Sequence, residues 1–465
     1  MAATRRHHGP NTALEQLLAA SGRSRSSLAL RVNELSRLHG QPRAYTHTSV
    51  GNWVDRGMAP DAPAPELIAI ALGERLGRPV ALAEIGMADM ASLPGDVAGM
   101  GLDFPRDPGD AVRGAANFWS TVHPHRRDFL GQAFSVAAYT TPVTRWLARP
   151  ATPLAGHRGG RMVGRADLQE LWAAADDARA WDSKYGGGSW KSSSVATCLR
   201  ERAAPLLTGT YQQAIGSELY AVSAELSRIV AWSALDMGQH DAAQRYFVQG
   251  LALARAAGDT EVGCHVLSTM ALQALLRGYP GEAIDMAQGA YDRARPRAGH
   301  RVLAFAKMVE ARAHGRAGDA RAASAALAAS ETHLGRTRPD PDPQWIGYMT
   351  HTRLASDAVE VWRDLHNPRA AFGWNEHATA MPAGSFARSV GLRMTVLGTS
   401  HLQAGDLDHG LHLGHRAVDI LSCVKSTRAR DYVDDYLAAL TPWQAEPQVA
   451  ELLHRARTEL TMTAA

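Results

Sequence analysis

The sequence predicts an all-α protein, with a small head of short helices and a long body of repeated helix pairs. Two patterns carry that reading. In roughly the first 80 residues, short apolar stripes at helical spacing open on capping residues and close on glycine or proline. Beyond residue 215, small side chains recur at fixed distances from a glycine with a period near 40 residues. Composition agrees: 465 residues that are 45% hydrophobic and 20% charged can build several cores and are not a wholly disordered chain.

In the head, Asn11 is placed to cap a helix over Thr12–Ala20, with Leu14, Leu17 and Leu18 on one face and Gly22 at its end. Ser26 or Ser27 opens a second helix, Leu28–Leu38, apolar at Leu28, Leu30, Val32, Leu35 and Leu38 and closed by Gly40. A proline-containing connection, 41–47, leads to a third short helix, Thr48–Arg56, with Val50, Trp53 and Val54 inward and a stop at Gly57. Pro60, Pro63 and Pro65 punctuate the next turn, Glu66–Leu76 is a fourth helix, and Leu82–Gly86 adds a short fifth.

Charge is uneven along the chain. Residues 1–60 carry eight arginines against Glu15, Glu34 and Asp55, a net of +5 within a total of +3, so the remainder is slightly acidic. A basic head on a near-neutral body suits a module that meets a polyanion. Four or five short helices in this length suit a helix-turn-helix domain, in which one helix enters the major groove.

The string Thr48-Ser49-Val50-Gly51-Asn52-Trp53-Val54-Asp55-Arg56-Gly57, followed by Pro60, resembles the recognition-helix segment of phage-repressor-like (XRE-type) domains. Ser27-Leu28-Ala29 is similar to the start of that motif's first helix, although Arg37–His47 is longer than the tight turn of the simplest members. The resemblance implies base contacts from His47, Thr48, Ser49, Asn52 and Arg56, since asparagine suits adenine and arginine suits guanine edges. It leaves Arg23, Arg25, Arg31 and Arg43 as phosphate contacts that position without specifying. Val50 and Trp53 read as core.

Residues 88–114 are rich in Gly, Pro and Asp and read as a linker. Helices resume over Ala111–Val122, Arg126–Ala138, Thr144–Leu147 and, strongly, Arg165–Asp182. The run Gly186-Gly187-Gly188 lacks GxxxxGK[ST] spacing and a preceding strand, so it reads as a helix–helix turn instead of a phosphate loop.

The repeat aligns Gly238, Gly278, Gly318 and Gly405. Seven residues before them stand Ala231, Ala271, Ala311 and Gly398; five after, Ala243, Ala283, Ala323 and Gly410; twelve after, Gly250, Ala290, Ser330 and Ala417. A degenerate unit around Leu365–Ala371 fits between the third and fourth. Antiparallel helices approach closely only where facing side chains are small, and glycine supplies the reversal. The spacing resembles the tetratricopeptide repeat (TPR), with 40 residues in place of 34, and implies an α-solenoid whose first helices line a concave surface. Arg228, Trp232 and Asp236, then Leu272 and Leu276, then Arg312 and Arg316 fall on that surface, where Trp and Arg suit an acidic ligand or a peptide carboxylate. Residues 428–462 look like a capping pair.

Other chemistry is not signalled. His409, His412 and His415 are spaced i, i+3, i+6, which rotates the outer two apart, and His123 and His125 form a loop pair. No GxSxG, HExxH or dinucleotide fingerprint occurs, so neither an enzyme nor a cofactor is expected. Cys198, Cys264 and Cys423 are too few and too far apart for a disulfide framework and suit a reducing cytoplasm. No apolar run is long enough to span a bilayer, and from the polar residues at the start of the sequence no secretory signal is expected.

The expected organisation is therefore all-α, a small helix-turn-helix domain (1–87) followed by a linker (88–114), a helical connecting region (115–215) and a TPR-like α-solenoid (216–465). The combination is similar to HTH–TPR transcription regulators of sporulation and antibiotic production in filamentous high-GC bacteria. That resemblance implies a cytoplasmic DNA-binding protein, with repression favoured, a double-stranded operator, homodimerisation, and a peptide or small-molecule effector on the body. The rival reading is a TPR scaffold or anti-regulator whose head binds protein instead of DNA.

Overall fold

The computed structural model describes residues 10–38, 44–58, 60, 64–76, 80, 84–87, 100–121, 134–148, 156–188, 190–337, 342–378, 384 and 386–462. It is predominantly helical, and its one sheet among these residues is a two-residue antiparallel pair, β1 (Gly156–His157) with β2 (Tyr211–Gln212). The chain divides into two compact units, the first ending near residue 100.

The first unit holds α1 (Thr12–Ala20), α2 (Arg25–Leu38), α3 (His47–Asp55) and α4 (Ala64–Leu76). Asn11 caps α1 by accepting the Leu14 amide, and its amide nitrogen donates to the Ile85 carbonyl at 2.9 Å, which ties the end of the unit to its start. The second helix starts at Arg25, earlier than the serine-led reading, because the Ser24 hydroxyl accepts the Ser27 amide. The third helix starts at His47, one residue earlier than expected, and Thr46 caps it: its hydroxyl accepts the Ser49 amide while the Ser49 hydroxyl accepts the Thr46 amide. Asn33 holds the chain entering α3 through two 2.8 Å bonds to the Tyr45 backbone. The core gathers Leu14, Leu28, Val32, Val50, Trp53, Ile68, Leu72 and Ile85. Leu30 departs from the expected apolar stripe of α2 and is 63% exposed.

In the second unit come α5 (Pro108–Thr121), α6 (Thr140–Ala148), α7 (Arg165–Tyr185), α8 (Trp190–Cys198) and the short α9 (Ala204–Leu207). There follow α10 (Gln213–Asp236), α11 (His240–Ala257), α12 (Thr260–Leu276), α13 (Pro280–Ala294), α14 (His300–Arg316) and α15 (Ala320–Leu334). The last are α16 (His351–Asp364), α17 (Pro368–Ala378), α18 (Ala387–Gln403), α19 (Leu407–Leu421), α20 (Thr427–Ala439) and α21 (Pro447–Met462). Residues 101–114, read from sequence as linker, belong to this unit: the Gln249 amide donates to the Gly101 carbonyl, and Phe118 of α5 packs edge-on against Tyr246 at 5.0 Å. The expected helix over 126–138 and the His123/His125 pair fall largely or wholly outside the described residues.

From α10 onward, consecutive helices pair closely, α10 with α11, α12 with α13, and so on to α18 with α19. The small positions of the repeat sit at these contacts: Ala231, Ala243, Ala271, Ala283, Ala290, Ala311 and Ala323 are fully buried. Gly238, Gly278, Gly318 and Gly405 at the reversals have φ between +75° and +84°, the left-handed region that penalises any side chain. In the degenerate unit His366 occupies this position with φ +52°, so the reversal survives without glycine. No described helix is long and apolar enough to cross a membrane, and all three cysteines are free.

Candidate functional site

Two surfaces carry the candidate residues, one in each unit. In the first, Val50, Trp53 and Val54 are buried and fix the roll of α3, with Trp53 held edge-on by Tyr45 at 5.1 Å. His47, Thr48 and Arg56 are exposed, and Asn52 and Ser49 are half-buried. The Ser49 hydroxyl is engaged in the cap, so its availability to a partner is reduced; Arg56 is the residue that ends the helix and makes no ion pair with a described residue.

The expected phosphate contacts differ from the sequence picture. Arg25 lies along α3 and grips Asp55 with two bonds of 2.6 and 2.7 Å. This guanidinium holds the Asp55 carboxyl below its ordinary range and neutralises the one acid on the exposed side of the helix. Arg31 bonds Glu74 at 2.7 and 2.9 Å and Glu34 at 2.8 Å. Arg23 is drawn inward, donating to the Ala71 carbonyl and approaching Glu74 at 3.5 Å. Arg43 lies outside the described residues. Arg23 and Arg31 therefore pair with α4 and Arg25 with α3, partners that residue counting does not reveal.

In the second unit, α7 and the first helices of the pairs, α10, α12, α14, α16, α18 and α20, surround a cavity of about 800 Å³. Arg228, Trp232 and Arg312 line it as the repeat spacing predicted; Asp236 and Arg316 do not. Asp236 stands behind the wall, fully buried, where it accepts from Arg388 at 2.9 Å and Arg428 at 3.0 Å. Burial would raise its carboxyl, but the two guanidinium groups hold it below the ordinary value. Arg316 is exposed and pairs with Asp364 at 3.1 Å.

Buried ion pairs organise the lining. Glu225 takes Arg228 through two 2.8 Å bonds and Arg179 through a third. Burial opposes its ionisation, yet Arg228 keeps it well below the carboxylate range. Arg312 bridges Asp357 at 3.2 Å and Glu360 at 2.7 Å, and Tyr432 donates to Glu360 at 2.7 Å. Against burial, Arg312 brings the Glu360 carboxyl down to about 2. His265 stacks on Trp345 with centroids 4.9 Å apart and shares a 2.9 Å bond with the Tyr348 hydroxyl; burial, with Arg228 nearby, holds it at about 4.

The glycine triplet has a role the sequence did not disclose. The Gly187 amide donates to Asp236 at 2.9 Å, the Ser233 hydroxyl to the Gly187 carbonyl at 2.7 Å, and the Gly188 amide to the Lys425 carbonyl at 3.1 Å. A Cβ at Gly187 would stand 2.7 Å from the Ser233 carbonyl oxygen, so only glycine admits this approach. With Arg388 bound to Asp182 at 2.7 Å, the segment clasps the first helix pair to the last.

Sequence reasoning also missed Arg353, Asp357 and Glu360. They stand 13, 9 and 6 residues before His366, and Arg228, Ile229 and Trp232 stand 10, 9 and 6 before Gly238. Extending those offsets into the degenerate unit would have found Asp357 and Glu360, but not Arg353, which lies one turn earlier.

Among the histidines, His401 and His409 approach Asp406 at 3.1 and 2.8 Å, whereas His415 turns to Arg455. Asp406 also caps α19, and these hydrogen bonds account for the grouping.

A family described as SP15 N-terminal domain matches residues 14–88, the span of the first unit's helices. No curated protein matches the chain.

Proposed function

We propose that this chain is a sequence-specific DNA-binding transcriptional regulator of the XRE-like class, cytoplasmic and homodimeric. In this reading α3 enters the major groove, and the body is a TPR-like solenoid used for dimerisation and effector sensing. Repression is the favoured direction, and development or secondary metabolism the favoured setting, by resemblance. The observation that carries the reading is α3 itself: a buried Val50/Trp53/Val54 face fixes the helix, while Thr48, Asn52 and Arg56 remain available, and the helix's own acid, Asp55, is neutralised by Arg25. A single short helix reads few base pairs, so useful affinity needs two heads on a two-part site.

The test is selection of genomic fragments by the full-length protein, followed by titration of the enriched site at increasing salt. The expected result is a discrete site, a steep loss of affinity with salt, and a cost of about 1–3 kcal/mol for Arg56→Ala with relaxed preference at one position. No enriched site rejects the assignment; an unchanged Arg56→Ala profile removes Arg56 from the base contacts.

The exposure of Leu30 at 63% and Ile70 at 44% favours a second reading, in which the head binds a protein. That reading expects a shallow salt dependence and sensitivity to Leu30→Glu.

A further inference from the structure

The cavity in the second unit holds more charge than its own pairs satisfy. Eight basic side chains line it against three acidic ones, Asp182, Asp357 and Glu360, and the buried Glu225 and Asp236 behind the wall still leave an excess of positive charge. Seven of the eight are arginines, and six of those have a carboxylate partner. Arg393 is the exception. It is 9% exposed; one terminal nitrogen donates to the Asn375 side-chain oxygen, and among the described residues no partner is found for its Nε. Among the described residues the Nε atoms of Arg312 and Arg388, both also buried and lining the cavity, likewise lack partners. A buried guanidinium is costly unless paired with an anion, and nothing within this chain's described residues supplies one to Arg393.

The rest of the wall is apolar and aromatic: Trp232, Phe305, Trp345 and Tyr348 stand with Leu392 and Val396. Arg428 already lies 4.9 Å over the Trp232 ring, and His265 backs one face of Trp345. A volume of about 800 Å³ suits one compact small molecule. The clasp from Asp236 and Gly188 to Arg428 and Lys425 ties the first pair of the array to the start of α20, which favours a compact occupant over an extended chain running through.

We infer that this cavity binds a single small anionic molecule with a planar, ring-bearing body, and that Arg393 receives its negative group. The anion is a carboxylate or a phosphate monoester, since either accepts the free donors of a guanidinium. That the ligand acts as an effector rests on the regulator reading above; that it binds does not.

The experiment titrates the full-length protein with anilinonaphthalene sulfonate, an anionic aromatic fluorophore, without DNA. Its neutral relative phenylnaphthylamine serves as control, and near-ultraviolet circular dichroism verifies native packing. Saturable binding of one dye per chain is expected, weakened about tenfold or more by Arg393→Gln and restored in part by Arg393→Lys, with the neutral dye insensitive to both. Ser389→Trp, which fills the cavity without removing charge, should abolish binding and stands in if Arg393→Gln does not fold. Displacement by phenyl phosphate or by phenylpropionate supports the inference, and the more effective of the two names the head group. Dye binding unaffected by Arg393→Gln and Ser389→Trp overturns it, as does displacement by neither competitor, or by an acidic hexapeptide far more strongly than by both. Loss of DNA binding in the selection above would leave this titration unchanged, so the two readings fail separately.

Discussion

The two units use arginine in opposite ways. In the first, Arg25 meets Asp55 and Arg31 meets Glu74 at the surface, where water and salt screen their attraction, and the fold is held by the Leu/Val/Trp/Ile core beneath. In the second, Arg228, Arg312 and Arg388 are each less than 10% exposed and sit among buried carboxylates around a cavity. A surface pair is nearly free to form and break. An internal one has already lost its hydration, so removing either partner strands a charge in a poor solvent. The difference can be tested by breaking pairs in each unit.

Asp236→Ala should be the most damaging single change. It removes the shared partner of Arg388 and Arg428 and the acceptor for the Gly187 amide, and a loss of about 3–5 kcal/mol is expected from urea unfolding. A loss below about 1 kcal/mol would mean that the network relaxes to water as a surface pair does.

Acidification should separate the two interiors next. His265 is fully buried and held at about 4, whereas an unfolded histidine titrates near 6.5. The unfolded chain therefore binds more protons between these values, and stability of the second unit falls as pH drops from about 6.5 toward 4, by about 3 kcal/mol for this residue. Below that range the carboxylates follow: Glu360 at about 2 stabilises the fold above its unfolded value, and that contribution is lost as pH falls toward 2. Thermal melts of wild type and His265→Gln across this interval check the claim, which requires the variant's pH slope to be shallower.

How much of this was legible follows from distance along the chain. Asn11, the inward Trp53 and the twelve small positions of the repeat were readable because caps, helical periodicity and close packing are local rules. The bond from Gly188 to Lys425 joins residues more than 200 apart, and no local pattern announces it. The same holds for Arg31 with Glu74, so arginines that looked available for phosphate turned out to be tied within the head. Arg393 was invisible for another reason: its significance is the absence of a carboxylate neighbour among the described residues, which only a structure can display.

A smaller effect of opposite sign is expected at the reversal of the degenerate repeat. His366 at φ +52° adopts a conformation that disfavours a Cβ by about 1–2 kcal/mol, partly offset by the greater unfolded-state entropy of glycine. His366→Gly should stabilise the second unit by up to about 1 kcal/mol in urea unfolding, and a destabilised variant would show that the imidazole makes a compensating contact.

The smallest change in stability should come from Arg25→Ala, and it sharpens the comparison most. The pair with Asp55 has good geometry, but both partners are solvated, so the melting midpoint should stay within error of wild type. On the proposed DNA-binding reading its effect should appear instead in DNA affinity: without Arg25, the Asp55 carboxylate stands bare on the exposed side of α3, where it would repel phosphate. Arg25→Ala should therefore weaken binding to the selected site, and Arg25→Ala with Asp55→Asn should recover most of the loss, because the repelling charge is gone. A double variant as weak as the single would mean that Arg25 contacts phosphate directly and that its bond to Asp55 opens on binding.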